Sequence, residues 1–416
     1  MNTSLREDAL KIVHEAIRAV YPETAVKQAL KGFVSGKKIF VLAIGKAAWR
    51  MAKAASESLE DRISKGLVIT KYGYSMGSID GFKVCEAGHP IPDENTIKAT
   101  ERALRMVADL GEGDVLLFLV SGGGSSLFEL PVKKVGLSNI TDITDQLLKS
   151  GAAIQEINAV RKHLSKVKGG RFAQIVKPAR IFSLVLSDVL GDKLDTIASG
   201  PAYPDYTTSH DAIGVVRKYD VSLSQCVLNA LNVETPKSLD NVETMVIGGV
   251  SIACEAARRS GEKLGYNSSV LTTNLDCQAR EAGAFLGAVA REVVLRDQPI
   301  KRPCVIIAGG ETVVQVRGSG LGGRNQELAL SAARGIEGLK DVVVVSVATD
   351  GTDGPTDAAG GIVDGSTIAR LAEQGISVEG VLNSNDSYHA LQAVDALVIT
   401  GPTGTNVNDL MFVLCR

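Results

Sequence analysis

Short runs of Val, Ile and Leu alternate along this chain with longer stretches rich in Ala and charged residues. "KIFVLAIG" is followed by "KAAWRMAKAASESL", and "KGLVIT", "DVLLFLVS", "RIFSLVLS", "ETMVIGG", "NSSVLTT", "PCVIIAGG" and "DVVVVSVATD" repeat the first type. Most of these runs are apolar throughout rather than alternating, which predicts strands buried on both faces. The intervening stretches, such as "SIACEAARRSGEKLG" and "RNQELALSAARG", read as helices, and so does the periodic N-terminal "MNTSLREDALKIVHEAIRAV". Strand and helix in alternation predict an α/β protein with largely parallel sheets. "ETVVQVRG", directly after "AGG", is expected to return as a hairpin partner and make the second sheet mixed. The closing "ALVITGPTGTNVNDLMFVLCR" reads as strand, turn, strand. The sharpest break is the polar "LNVETPKSLDNVET", residues 231–244, which contains Pro236 and separates two α/β series. The expected domains are therefore 1–236 and 237–416.

Composition narrows the function. With 416 residues the chain fits two ordinary domains or one large one. A net charge of −2 gives no electrostatic case for nucleic acid or a membrane surface, and one Trp is a poor stacking platform for single strands. Six cysteines are scattered without a CxxC pair, so they read as free thiols, most of them buried, in a reduced compartment. Without an apolar run of membrane length or a signal-peptide core, a soluble cytoplasmic protein is expected.

Candidate chemistry sits where strand-like runs end. "SGGGSS", residues 121–126, follows one of them, and three consecutive glycines weaken any regular element. Such a loop can bring Ser121, Gly122, Gly123, Gly124 and Ser125 up to a phosphate or carboxylate, with Ser125 or Ser126 capping the next helix. "AGGETVVQVRGSGLGGRNQE" offers Gly322, Gly323 and Asn325 in the same way. "SDVLGDKLDTIASGP" and "ATDGTDGPTDAAGG" supply Asp188, Asp192, Asp350, Asp353 and Asp357. Each segment alone is also an ordinary turn, because Asp and Gly dominate turns. In combination, carboxylates beside anion-binding glycines ask for a cation between them, and Mg²⁺ is the usual one. Lys46 and Arg324 each follow glycine at an expected helix start, where a cation opposes the helix dipole unless an anion is near. The basic "NAVRKHLSKVKGGR" reads first as a solvated helical face, with Lys168, beside two glycines, as an anion contact.

Several rivals fall away. Gly318-x-Gly320-x-x-Gly323 satisfies the dinucleotide fingerprint and keeps a hydride-transferring reductase as the alternative enzyme. The next strand, however, ends in an acidic cluster rather than one ribose-binding acid. The chain has no Walker A motif, no GxSxG elbow, no clustered zinc ligands and no DNA-reading element.

The combination of "IGKAA", "EAGHPIPDENT", "SGGGSSLFELP", "INAVRKHLSKVKGGR", "SDVLGDKLDTIASGP", "GGETVVQVRGSGLGGRNQELAL", "TDGTDGPTDAAGG" and "TGPTGTNVNDL" resembles the type 2 glycerate kinases of the MOFRL family. The segments occur in order over nearly the whole chain. Ala202, after "SGP", stands where the family pattern has Thr. The resemblance implies two dissimilar three-layer α/β/α domains, one with a largely parallel sheet and one mixed, and an active site in the cleft between them. It implies ATP-dependent phosphorylation of D-glycerate, to 2-phosphoglycerate in archaeal-type members, feeding non-phosphorylative Entner–Doudoroff breakdown. Lys46 and Arg324 stand at positions regarded as catalytic in similar proteins. On this reading Ser121–Ser125, Lys168, Gly322, Gly323 and Asn325 bind ATP or substrate. Asp188 and Asp192, or the acidic cluster of Asp350, Asp353 and Asp357, are expected to carry Mg²⁺. The partners are ATP and D-glycerate, without nucleic acid or membrane, and a homodimer is left open.

Overall fold

The computed structural model describes residues 3–33 and 37–416, and the chain divides into two compact units. The first, Pro22–Ile247, holds strands β1 (Ile39–Ile44), β2 (Ile63–Lys71), β3 (Phe82–Ala87), β4 (Val115–Val120), β5 (Arg180–Leu186) and β6 (Val242–Gly248). Among the described residues they form one sheet in the order β3-β2-β1-β4-β5-β6. The pairs from β3 to β5 are all parallel. Every residue of β1, and all but the first of β4, is buried, so both faces of the sheet centre are covered, as their unbroken apolar runs require. Phe118 of β4 packs with Phe128 and Phe172 in the core beneath the sheet's carboxyl end. A separate apolar cluster is made by the helices Leu137–Lys149, Ile154–Leu164, Ser209–Lys218 and Gln225–Leu231.

The second unit joins the described residues up to Tyr21 with Gly248–Arg416. Its strands are β7 (Asn267–Leu275), β8 (Cys304–Gly310), β9 (Val342–Ala348), β10 (Gly360–Asp364), β11 (Leu397–Val398) and β12 (Asp409–Cys415). Their order is β11-β10-β9-β12-β8-β7. Only β7 and β8 pair in parallel; β12 runs antiparallel between β8 and β9, so this sheet is mixed. Among the described residues no helix is long and apolar enough to cross a membrane.

The structure changes three expectations. The boundary is displaced from 236/237 to 247/248, because "ETMVIGG" supplies β6, the last strand of the first sheet, and Ile181 donates its N–H to Asn241. The N-terminal helix Thr3–Ala19 belongs with the second unit. It buries Leu5, Ala9, Ile12, Val13, Ala16 and Ile17 on one stripe. Asp8 in that helix accepts hydrogen bonds from Tyr266 and Arg416, and the Val20 carbonyl accepts one from Thr405. "ETVVQVRG" is not a hairpin strand: it is loop, held to the end of β7 by the Glu311 N–H on the Leu275 carbonyl and to the turn after it by an isolated Gln278–Val313 bridge, and the mixed sheet comes from β12 instead. An alternating Val pattern does not make a strand when its neighbour pairs with it over a single bridge.

Candidate active site

In the first sheet the strand order reverses direction beside β1, with β2 on one side and β4 on the other. Ligands of open α/β sheets collect at the carboxyl ends of the strands flanking such a point. Here those ends carry Gly45-Lys46 after β1 and Ser121–Ser126 after β4. The two turns are locked together. Lys46 donates its backbone N–H to the Gly122 carbonyl at 2.8 Å, and Ser121 Oγ accepts from the Ala47 N–H and donates to the Ile44 carbonyl, both at 3.1 Å. Gly45 has φ +112° and no room for a side chain beside Ser121.

The triple glycine has a concrete reason. A Cβ on Gly122 would run into the Asp188 carboxylate, and one on Gly123 would meet the His89 ring at 2.8 Å and the Lys46 stem at 3.4 Å. The loop is thus walled by Lys46, His89 and Asp188. Among the described residues the N–H groups of Gly122 and Gly123 make no protein hydrogen bond. Burial lowers the His89 pKa, and the Lys46 and Lys71 charges lower it further, so its ring is neutral at pH 7. The short helix Gly124–Leu127 begins after Gly123, so Ser125 and Ser126 lie inside it rather than capping it. Ser125 Oγ is 2.6 Å from Ser199 Oγ, and the Ser125 carbonyl accepts from Arg161.

Lys168 is not at this surface. It is fully buried, paired with Glu129 at 2.8 Å and donating to the Phe128 carbonyl; burial pulls its pKa down to about 8. Asp192 sits in the turn Leu190–Asp192 with φ +49°.

In the second unit the amino end of β12 lies between the carboxyl ends of β8 and β9, with Asp409 opposite Gly310 and Ala348. Asp409 is fully buried. Burial pushes its carboxyl up to about 6 against the opposing pull of Arg324. Arg324, the first residue of helix Arg324–Gly335, grips it with Nε at 2.6 Å and a terminal nitrogen at 3.1 Å, and reaches Glu311 at 2.9 Å. Burial alone would lower the Arg324 pKa, yet these carboxylates raise it, so the guanidinium is a fixed positive charge.

Asp353 is spent as a helix cap. Its carboxylate accepts the N–H groups of Asn325 and Gln326 at 3.1 and 2.9 Å and the Asn325 amide at 3.2 Å. Asn325 is fully buried, and its oxygen takes the Ser346 hydroxyl, so neither residue faces a ligand. Gly322 and Gly323 pack against Ser387 and Asp353. The fingerprint glycines Gly318 and Gly320 pack on the Ser384 backbone, and the N–H groups of Arg317, Gly318, Gly320 and Leu321 are used by Asn385, Ser384 and Asp386. The Asp350 carboxylate closes a turn with Thr352 at 3.0 Å. Among the described residues no group of three or more His, Cys, Asp or Glu side chains is arranged to hold a metal. Of the alternative Mg²⁺ carriers, Asp188 and Asp192 lie in the first unit and Asp350 and Asp353 in the second.

His89, Glu311 and Asp409 escaped the reading of the sequence. Asp409 left a trace: an acid opening the wholly apolar run "DLMFVLC" has to be buried, and a buried carboxylate needs a cation. His89 lies within "EAGHPIPDENT", but nothing local ties it to a glycine loop more than thirty residues on.

Known proteins are similar to this chain over nearly its whole length. A model described as a domain of unknown function, DUF4147, matches residues 8–232, and the MOFRL family model matches 304–409. A Thermotoga maritima protein named D-glycerate 2-kinase is 57% identical, covering 99% of this chain and 98% of its own. A Pyrococcus horikoshii glycerate 2-kinase is 45% identical, covering 99% and 97%. The crystal structure of a Thermotoga maritima glycerate kinase superposes with a TM-score of 0.97 at 56% identity, over 99% of this chain and 100% of that one. The chain belongs to the type 2 glycerate kinase family, with the MOFRL region as the heart of its second unit.

Proposed function

We propose that this protein transfers the γ-phosphoryl group of ATP to D-glycerate, at the 2-hydroxyl, giving 2-phosphoglycerate and ADP. The observation that carries the reading is the turn after β4: two adjacent N–H groups, Gly122 and Gly123, without a hydrogen bond among the described residues, beside the Lys46 side chain. Such a nest accepts a phosphate or carboxylate oxygen. The names of the relatives supply the substrate, and the two families of residues supply the chemistry.

Phosphoryl transfer asks for positioning and charge stabilisation more than for covalent help. Lys46 and Arg324 are the cations this reading assigns to the moving phosphoryl group. Asp409 and Glu311 hold the Arg324 fork in one orientation, so little reorganisation is needed when charge shifts. His89, neutral against Gly123, is a proton acceptor for the attacking hydroxyl. Mg²⁺ bound with ATP is held mostly by phosphate oxygens and waters and needs only one or two carboxylates. Asp188, pressed against Gly122, suits that position, whereas Asp353 is occupied as a cap. When bound, the cation neutralises phosphate charge. The reading carries with it a cytoplasmic enzyme.

Incubation with ATP, Mg²⁺ and D-glycerate, with the product identified by NMR, tests the proposal. We expect 2-phosphoglycerate. Formation of 3-phosphoglycerate would overturn the regiochemistry, and a preference for nicotinamide-dependent reduction of hydroxypyruvate would overturn the kinase.

A further inference from the structure

The helical cluster of the first unit carries a second cleft, of about 540 Å³, within the usual size of small-molecule sites. Its walls include Lys133, Lys134, His163, Arg171, Asn229 and Val233, and no residue of the Ser121–Ser126 loop. Three cations and no carboxylate line it. Among the described residues Lys133 and Lys134 make no ion pair. Arg171 spends three N–H donors on the carbonyls of His163, Ser165 and Val233 and none on an acid. The acids nearby are engaged elsewhere. Glu234, 3.9 Å from His163 Nε2, is held by Lys237 at 2.9 Å and by the Ser209 N–H. Asp205, which attracts Arg171, is buried with Lys162 at 3.2 Å.

Two further features need an explanation. Lys134 has φ +70°, a conformation in which glycine would be unstrained, yet a lysine is kept there. His163 is fully buried with Nδ1 at 2.8 Å from the Ala159 carbonyl, so that nitrogen carries the proton. Its Nε2 is then a bare acceptor, and it has no hydrogen-bond partner.

We propose that this cleft binds a small phosphorylated organic molecule. The three cations match the charge of a phosphate monoester. In its monoanionic form a phosphate monoester keeps a P–OH that can donate to His163 Nε2, which an ionised carboxylate cannot do. Val132, Ala230 and Val233 offer an apolar wall to the organic part.

The test is calorimetric titration of the full chain with phenyl phosphate, inorganic phosphate and benzoate. Phenyl phosphate is expected to bind at least tenfold more tightly than benzoate and more tightly than inorganic phosphate. The Lys133→Gln/Lys134→Gln variant should weaken it at least tenfold, and Lys46→Ala should leave it unchanged. Lys134→Gly should bind more weakly while its melting temperature holds or rises, since the strain at that position is removed. Undiminished binding in the double variant or in Lys134→Gly, or loss of binding in Lys46→Ala, would overturn the proposal. Binding of inorganic phosphate and phenyl phosphate with equal affinity would overturn the organic part of it.

Discussion

Replacing Asp353 by Ala separates a helix cap from a metal ligand. In the structure its carboxylate serves three donors: the N–H groups of Asn325 and Gln326 and the Asn325 side-chain amide. Asn325 and Gln326 are fully buried, so water cannot replace the acceptor. A buried donor left unpaired costs about 1–3 kcal/mol, and loss of a cap about 0.5–2 kcal/mol. Part of this is offset, because burial already disfavours the Asp353 carboxylate and raises its pKa. The net loss should be about 3 kcal/mol, which for a unit of this size lowers the melting temperature by roughly 6–12 °C. Asp353→Asn keeps an oxygen for Asn325 but sets an amide against the Gln326 N–H, so it should fall between Ala and wild type. The assay is thermal unfolding followed by circular dichroism, paired with Mg²⁺ titration of glycerate-dependent ATP consumption at a temperature where each variant is folded. The Mg²⁺ requirement should not move. A melting temperature within about 2 °C of wild type, together with a tenfold higher Mg²⁺ requirement, would refute the cap and restore Asp353 as a ligand.

Lys46→Ala and Arg324→Ala should each lower kcat by about a hundredfold or more, and Arg324→Lys should recover little, because an ammonium cannot grip Asp409 with a planar fork; steady-state kinetics with separate KM values checks this, and a change confined to KM would remove the catalytic role. Asp409 titrates at about 6 in the folded chain and lower when unfolded, so between about pH 4 and 6 the folded state binds an extra proton. Its contribution to stability therefore grows as pH falls through that window. Activity should drop over the same window as Arg324 loses its anionic partner; comparing melting curves and kcat/KM profiles of wild type and Asp409→Asn isolates both effects. Gly122→Ala should abolish most activity by displacing the Asp188 carboxylate while changing the melting temperature little, measured on the same two assays. Lys168→Met should destabilise by about 3–5 kcal/mol, since it leaves Glu129 buried with one cation fewer, while the KM for ATP of the folded fraction stays unchanged.

Much of the fold was legible because it rests on patterns within a single segment. Unbroken apolar runs such as "FVLAI" and "VVVVSVA" can be accommodated only in strands covered on both sides, and β1 and β9 are such strands. The helices Ala48–Leu59, Val250–Lys263 and Arg324–Gly335 follow where the sequence placed them. The short strands Phe82–Ala87 and Gly360–Asp364 were not foreseen, since a half-exposed or Gly-rich run takes strand form only from the neighbour it pairs with.

The site divides along the same line. That glycines after β4 make room for something could be read from three of them in a row. That the room is filled by Asp188, His89 and Lys46 depends on the order β2-β1-β4, which no local pattern encodes. Lys168, Asn325 and Asp353 looked like ligand residues because charge and amide groups beside glycine have the same composition in a binding loop and in a buried cap. Burial and hydrogen-bond partners tell the two apart, and both are set by chain segments far away in sequence. The assignment of the first helix to the second unit has the same origin. Its apolar stripe demands a partner surface, and only the completed sheet with Tyr266 and Arg416 beside it decides which.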